Sequence, residues 1–288
     1  MKMKKLKFFS SYCSQNQIYK NIISSWSKGS ETYKDLLITL GDDYEYAVVF
    51  NQALPDKPLP KSKVVGFSHE PRTTLRLNGS IESGIQENVS SYFLSNSEDL
   101  PDSFKSGYSF VLPAEFGKSE FESYDHKNRM SMIMSLSNFM PGHRMRHEIL
   151  KRILKTDLDI HFYAEGLNKI YSDPRVKEFN WEIFSVPYEH YQTQIVVENI
   201  IEGTWSTEKL SNCIIKETFP IYYGSKEVAE EFYGEGSIPF LGDDIDQNIE
   251  IITETYRNFS DKESTTKKAK EKLYSEKNLM EFLYQYFK

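Results

Sequence analysis

The residues best suited to chemistry crowd into one stretch of the 288-residue chain, Val196 to Gly224, which reads VVENIIEGTWSTEKLSNCIIKETFPIYYG. Its pattern predicts a strand, a polar loop, a helix N-terminus, a helix and a second strand. Glu198 and Asn199 fall at the end of the first strand, where open α/β sheets bind ligands. Ser206 or Thr204 is placed to cap the helix, and Thr207, Glu208 and Lys209 fill its first turn. A glutamate there complements the helix dipole, whereas a lysine costs about a few tenths of a kcal/mol unless an anion comes to it. Free backbone N–H groups beside an ammonium make a phosphate site, and an adjacent glutamate can accept from two ribose hydroxyls. The pair therefore suits a nucleoside diphosphate. An ordinary solvated helix start has the same spacing, and spacing alone does not separate the two.

The segment resembles the signature of glycosyltransferase family ten, the α1,3/α1,4-fucosyltransferases. That signature runs phenylalanine-glutamate-asparagine, a short loop, tyrosine-valine-threonine-glutamate-lysine, a helix, then proline, valine or isoleucine, tyrosine, tryptophan or tyrosine, and glycine. The matching residues are Glu198-Asn199, Thr207-Glu208-Lys209 and Pro220-Ile221-Tyr222-Tyr223-Gly224, with Ser225, Phe232 and Ile238-Pro239-Phe240 continuing in the same style. Val197 stands where the family has phenylalanine, and Trp205-Ser206 replaces tyrosine-valine, with the Trp205 ring still able to face a base or sugar. Upstream, Gly142-His143-Arg144-Met145-Arg146-His147 opens a helix where the family places an arginine on the donor diphosphate. Arg146 is the better match and Arg144 the second. A guanidinium near a helix N-terminus is also suited to phosphate by its bidentate geometry, although an exposed arginine on an amphipathic helix fits the pattern too. Val64 to Pro71 reads as strand then tight loop, and by resemblance Glu70 is the candidate catalytic base, with His69 its neighbour and runner-up.

The resemblance implies an inverting transfer of fucose from GDP-fucose to a hydroxyl of a glycan acceptor. A carboxylate must take the acceptor's proton, and positive charge must receive the departing diphosphate. Glu70 is assigned the first role; Arg146, Lys209 and the helix N-terminus the second. Glu208 would hold the ribose, Glu198 and Asn199 would bind the sugar or shape the loop, and Trp205, Thr207 and Tyr222 complete the donor-binding set. A transferase using another nucleotide sugar, or a carbohydrate-binding relative without turnover, would carry the same signature.

These residues need a scaffold of strands and helices to bring them together. Strands are expected at Leu6–Ser10, Tyr46–Phe50, Val64–Phe67, Tyr92–Leu94 and Tyr108–Leu112, with a helix holding Ile18, Ile22, Ile23 and Trp26 that ends at Gly29. The polar stretch from Phe116 to Met130 reads as a connector. A second set follows: strands at Met130–Leu136, Asp159–Tyr163, Gln194–Val197, Phe219–Tyr223 and Ile238–Leu241, with helices near His143–Lys155, Thr207–Lys216 and after Ser225. Met280, Leu283, Tyr284 and Phe287 keep helical spacing at the C-terminus, and Lys267, Lys268, Lys270 and Lys272 read as a solvated face. The expected fold is α/β, with two facing Rossmann-like domains of the glycosyltransferase-B type. Residues 1–125 form the acceptor side carrying Glu70, and residues 126–288 bind the donor.

A net charge of −7 and no basic stripe interleaved with aromatics argue against a nucleic-acid partner. No apolar window reaches the ~20 residues of a transmembrane segment. The apolar run Leu6 to Phe9 is too short for a signal sequence, and Cys13 and Cys213 read as unpaired thiols, so a cytoplasmic location is expected. No metal or other cofactor is expected. Asp42-Asp43 and Asp243-Asp244 read as a turn and a helix start, and His143 and His147, although four apart, have Arg144 and Arg146 beside them to repel a cation.

Overall fold

The computed structural model of the chain describes residues 2–27, 29–75, 84–108, 110, 126, 128–180, 185–260 and 262–288. Two compact units emerge: Met1–Phe121 with Glu202–Glu208 and Lys272–Lys288, and Glu122–Ile201 with Lys209–Glu271. A single cut at 125/126 lacks the two later segments that return to the first unit. The connector expected from Phe116 to Met130 and the strand expected from Tyr108 to Leu112 lie for the most part outside the described residues.

The first unit holds one sheet of β1 (Lys4–Ser10), β2 (Thr32–Tyr33), β3 (Leu36–Ile38), β4 (Tyr46–Phe50), β5 (Val64–Phe67), β6 (Ser91–Leu94) and β7 (Phe104–Ser106). Their order is β2-β3-β1-β4-β5-β6-β7, parallel except for the β2–β3 pair. Parallel strands are covered on both faces, so their residues are buried whichever way they point. Lys7 is the test case: it sits inside β1 at 4% exposure, its ammonium paired with Asp56 at 2.9 Å and Asp42 at 3.2 Å. Helix α1 (Gln15–Trp26) starts where the Ser14 hydroxyl accepts from Gln17 N–H, and it buries Ile18, Ile22 and Trp26. The short strands β2 and β3 carry too few residues to show a period, which is why the sequence pattern passes over them.

The C-terminal helix Leu279–Tyr286 belongs to this first unit rather than to the donor-side domain assigned from sequence. Its Asn278 cap accepts from Met280 and Glu281 N–H and donates to the Trp26 carbonyl at 3.1 Å. Leu279, Met280 and Leu283 are fully buried, worth about 1.5–3 kcal/mol each. Phe282 meets the rings of Phe67, Phe93 and Phe110 at 5.6, 5.2 and 5.2 Å. Sequence periodicity identifies the apolar face but not the sheet it covers.

Glu281 on this helix accepts from Lys34 at 2.5 Å, Gln285 at 2.8 Å and Tyr33 at 2.7 Å. Lys34 does most to hold its carboxyl down at about 2, from an ordinary 4.5. Because the folded value is the lower one, this stabilisation is present above about pH 4.5 and is lost as pH falls from there toward 2. Glu281→Gln is expected to cost stability near neutrality and to flatten the acid limb. Urea unfolding at about pH 7 and about pH 3 checks this, and parallel losses in both proteins would refute it.

The second unit is built on β8 (Asn128–Ile133), β9 (Ile160–Tyr163), β10 (Val176–Lys177), β11 (Tyr191–Val197) and β12 (Phe219–Tyr223), in the order β10-β9-β8-β11-β12 and parallel throughout. Successive strands run outward from β8 on one side and from β11 on the other. The junction of β8 and β11 is therefore the topological switch point, where ligands bind outside the strand C-termini in such sheets. Helix α2 (Pro141–Ile153) follows β8 and packs Ile149, Leu150 and Ile153 into a core with Met130, Met132, Phe162 and Ile195. Helix α3 (Glu208–Ile215) precedes β12, and α4 (Lys226–Tyr233) starts at Ser225, whose hydroxyl accepts from Val228 N–H.

Two expectations are corrected here. Ile238–Leu241 is not a strand but an isolated bridge between Tyr222 and Phe240, because Pro239 has no N–H to extend a ladder. Lys270 is not solvated: it is 5% exposed and paired with Glu217 at 2.8 Å, within helix α5 (Glu263–Ser275). Among the described residues, no helix is long and apolar enough to cross a membrane.

Candidate active site

The switch point of the second unit gathers Gly142, His143, Arg146, Glu198, Asn199, Lys209 and Tyr222. Helix α2 opens with Pro141, whose missing N–H costs nothing at a helix start. Gly142 follows, donating to the Asn199 carbonyl at 2.9 Å. The approach is closer than any side chain allows: a Cβ on Gly142 would lie 1.8 Å from the Glu198 carbonyl oxygen. The N-terminus of α2 is thus pressed against the backbone that leaves β11.

Arg146 secures the same junction from one turn further on. It is 3% exposed, and its guanidinium donates through Nε to the Val197 carbonyl at 3.0 Å, through Nη2 to that same carbonyl, and through Nη2 to Asn199 Oδ1 at 2.8 Å. The structure therefore shows Arg146 clamping the end of β11 and orienting the Asn199 amide. Arg144 is exposed and donates to the Phe139 carbonyl at 3.0 Å.

Glu198 is fully buried. Its carboxylate lies 3.7 Å from the Lys209 ammonium and accepts from the Tyr222 hydroxyl at 3.4 Å. A buried carboxylate without such partners is costly. Tyr222 is itself fully buried. The Lys209 side chain keeps 20% exposure, and Asn199 is half-buried.

His143 completes the cluster, and the sequence reading weighed it only as half of a metal pair. It is 6% exposed, accepts from Met140 N–H at 3.4 Å, and has the Phe139 ring 4.7 Å away. Burial, then the charges of Arg146, Lys209 and His147, push its pKa down despite a hydrogen bond with Asn199, so the ring is neutral at pH 7. His147 turns instead to the Ser137 carbonyl at 3.1 Å. The signal for Gly142 and His143 was present as Pro-Gly-His at the start of the helix that follows β8: proline marks the first helical turn and glycine the close backbone approach.

The other predicted residues belong to the first unit. His69 and Glu70 follow β5, and Glu70 is exposed, with its backbone carbonyl accepting from the Ser68 hydroxyl at 2.5 Å. His69 N–H donates to Asn51 Oδ1 at 2.8 Å, its Nδ1 lies 3.1 Å from the Tyr12 hydroxyl, and its ring lies 4.3 Å from Phe50. Burial pushes its pKa down to about 3, although Glu208 pulls it back.

Trp205 is 2% exposed and Thr207 6%, so the expected ring face for a base or sugar is enclosed in protein. Thr204 does not cap α3 either: its hydroxyl donates to the carbonyls of Ser95 at 3.2 Å and Gly107 at 3.0 Å. Glu208, the first residue of α3, is half-buried. Among the described residues, no group of three or more His, Cys, Asp or Glu side chains is placed to hold a metal.

No protein-family model matches the chain, and no curated protein matches it. Solved structures do. An α1,3-fucosyltransferase with GDP aligns over 99% of this chain and 89% of its own, at 14% identity and a TM-score of 0.56. An α1,3-fucosyltransferase with GDP-fucose aligns over the same shares at 12% identity and 0.54. A UDP-N-acetylglucosamine 2-epimerase from Rickettsia bellii aligns over 99% of this chain and 96% of its own, at 10% identity and 0.51. At such identities the likeness is one of fold, and the fold is two Rossmann-like parallel sheets of the glycosyltransferase-B type.

Proposed function

We propose that the chain is an inverting glycosyltransferase that moves fucose from GDP-fucose to a hydroxyl of a glycan acceptor. The observation that carries this reading is the switch-point cluster, where the α2 N-terminus, His143 and the Lys209 ammonium meet beside the end of β11. A helix N-terminus and an ammonium at that position suit a diphosphate. The order of residues around Glu208 and Lys209 supports GDP-fucose as donor.

In this mechanism Lys209 and the α2 N-terminus receive the diphosphate. Arg146 acts by holding Asn199 and the β11 terminus, a more indirect part than direct phosphate contact. Glu208 accepts from the ribose hydroxyls. Glu70 takes the proton of the acceptor hydroxyl as its oxygen bonds the anomeric carbon. The bond from that carbon to the phosphate oxygen breaks on the opposite side, and GDP leaves with the electron pair. Charge neutralisation by protein groups makes a metal unnecessary, so turnover should survive a chelator.

A second reading, a UDP-sugar as donor, is favoured by the epimerase likeness, since that neighbour's substrate carries a UDP group. Calorimetric titration with GDP-fucose, GDP-mannose, UDP-glucose and UDP-galactose without metal separates the two. GDP-fucose should bind preferentially, and Lys209→Ala should weaken it by about 10–100-fold, the range of one lost charge-assisted hydrogen bond. Preference for a UDP-sugar would replace the donor. Absence of binding to all four would remove the transferase reading.

A further inference from the structure

The segment Glu202–Glu208 leads into the Glu208–Lys209 helix start, and the Glu202 side chain fastens its beginning within the first unit. Glu202 Oε1 accepts from Arg72 N–H at 2.6 Å and from the Ser95 hydroxyl; Oε2 accepts from Thr73 N–H at 3.1 Å and from the Thr73 hydroxyl. Burial alone would raise its carboxyl. The bonds from Ser95, Thr73 and Arg72 outweigh that and hold it below the ordinary range.

The neighbours of Glu202 reinforce the fastening. Gly203 has φ +50° and lies so close to Ser95 that a Cβ would fall 2.0 Å from its carbonyl oxygen. Thr204 N–H donates to the same carbonyl at 2.9 Å, and Trp205 N–H turns back to the Glu202 carbonyl at 2.9 Å. Glu202 and Gly203 lie outside the residues that carry the family resemblance.

We propose that Glu202 is a positioning residue, a carboxylate latch that holds Gly203–Thr207 on the C-terminal edge of the first sheet and thereby fixes Glu208 where it would meet the donor ribose. The role in donor binding rests on the function proposed above; the latch does not. A carboxylate with four donors ties Glu202 to Arg72, Thr73 and Ser95, where a solvated loop would leave the backbone entering α3 free to move.

The test compares the wild-type chain with Glu202→Ala and Glu202→Gln by hydrogen exchange and by GDP titration. In Glu202→Ala, protection of the Thr204 and Trp205 amides should fall by about 30–100-fold while β11 amides keep theirs, which shows that the variant is folded. The GDP dissociation constant should rise about tenfold, and Glu202→Gln, which keeps one accepting oxygen, should recover part of both losses. Lost protection with unchanged GDP affinity would overturn the positioning role, as would unchanged protection. If the wild-type chain binds no GDP, the donor-site reading fails and the positioning role falls with it, although the exchange data still report the latch.

Discussion

Replacing Glu70 with alanine is expected to lower turnover by about 10²–10⁴-fold and to leave GDP affinity within about twofold, the signature of a lost general base. The expectation follows from the contrast between two adjacent residues at the end of β5. His69 is enclosed by Phe50, Tyr12 and Asn51, and burial takes its pKa down to about 3. A base of that strength holds a proton poorly at neutral pH, and its ring is already engaged. Glu70 is exposed, three residues beyond the end of β5. A split in the other direction, with GDP affinity lost and turnover per bound donor retained, would remove Glu70 from the role. A full loss in His69→Ala with Glu70→Ala active would transfer the role to its neighbour.

Gly142→Ala is expected to cost about 3 kcal/mol or more, the scale of a backbone displaced by overpacking. Alanine is otherwise the better helix former, so intrinsic propensity predicts the opposite sign. Contact geometry decides between them. The added Cβ would fall 1.8 Å from the Glu198 carbonyl oxygen, 2.8 Å from its carbon and 3.0 Å from Asn199 Cα, all backbone atoms that cannot rotate aside. Helix α2 must then lift from β11, stretching the bonds from Gly142 N–H and Arg146 that tie them together. Taking about 2–4 °C per kcal/mol, the melting temperature should drop by about 6–12 °C. GDP binding should weaken in parallel. An unchanged melting temperature would show that the junction is looser than its contacts indicate.

The α/β class and most element positions were readable from the chain because they depend on neighbours within a few residues. Val196–Gly224 declared its strand, helix and strand by period, and Ser225 and Asp244 announced helix starts that the structure places there, with the Asp244 side chain accepting from Asp246 and Gln247 N–H. Glu198 and Lys209, singled out by position together with the family resemblance, lie 3.7 Å apart at the switch point.

The burial and bonding partners of these side chains were not readable. Trp205 is 2% exposed, Tyr222 and Glu198 are fully buried, and the Thr204 hydroxyl donates to the Ser95 and Gly107 carbonyls, none of which the local pattern states. Local pattern states that a side chain is apolar or can donate a bond. It does not state which distant backbone supplies the other half. The same limit explains the C-terminal helix, whose apolar face was evident while its destination against Phe67 and Phe93 was not. Periodicity and capping are properties of a few consecutive residues and survive in the one-dimensional chain. Burial, the choice of hydrogen-bond partner and the close approach at Gly142 depend on residues far apart in sequence, and only the folded chain brings those together.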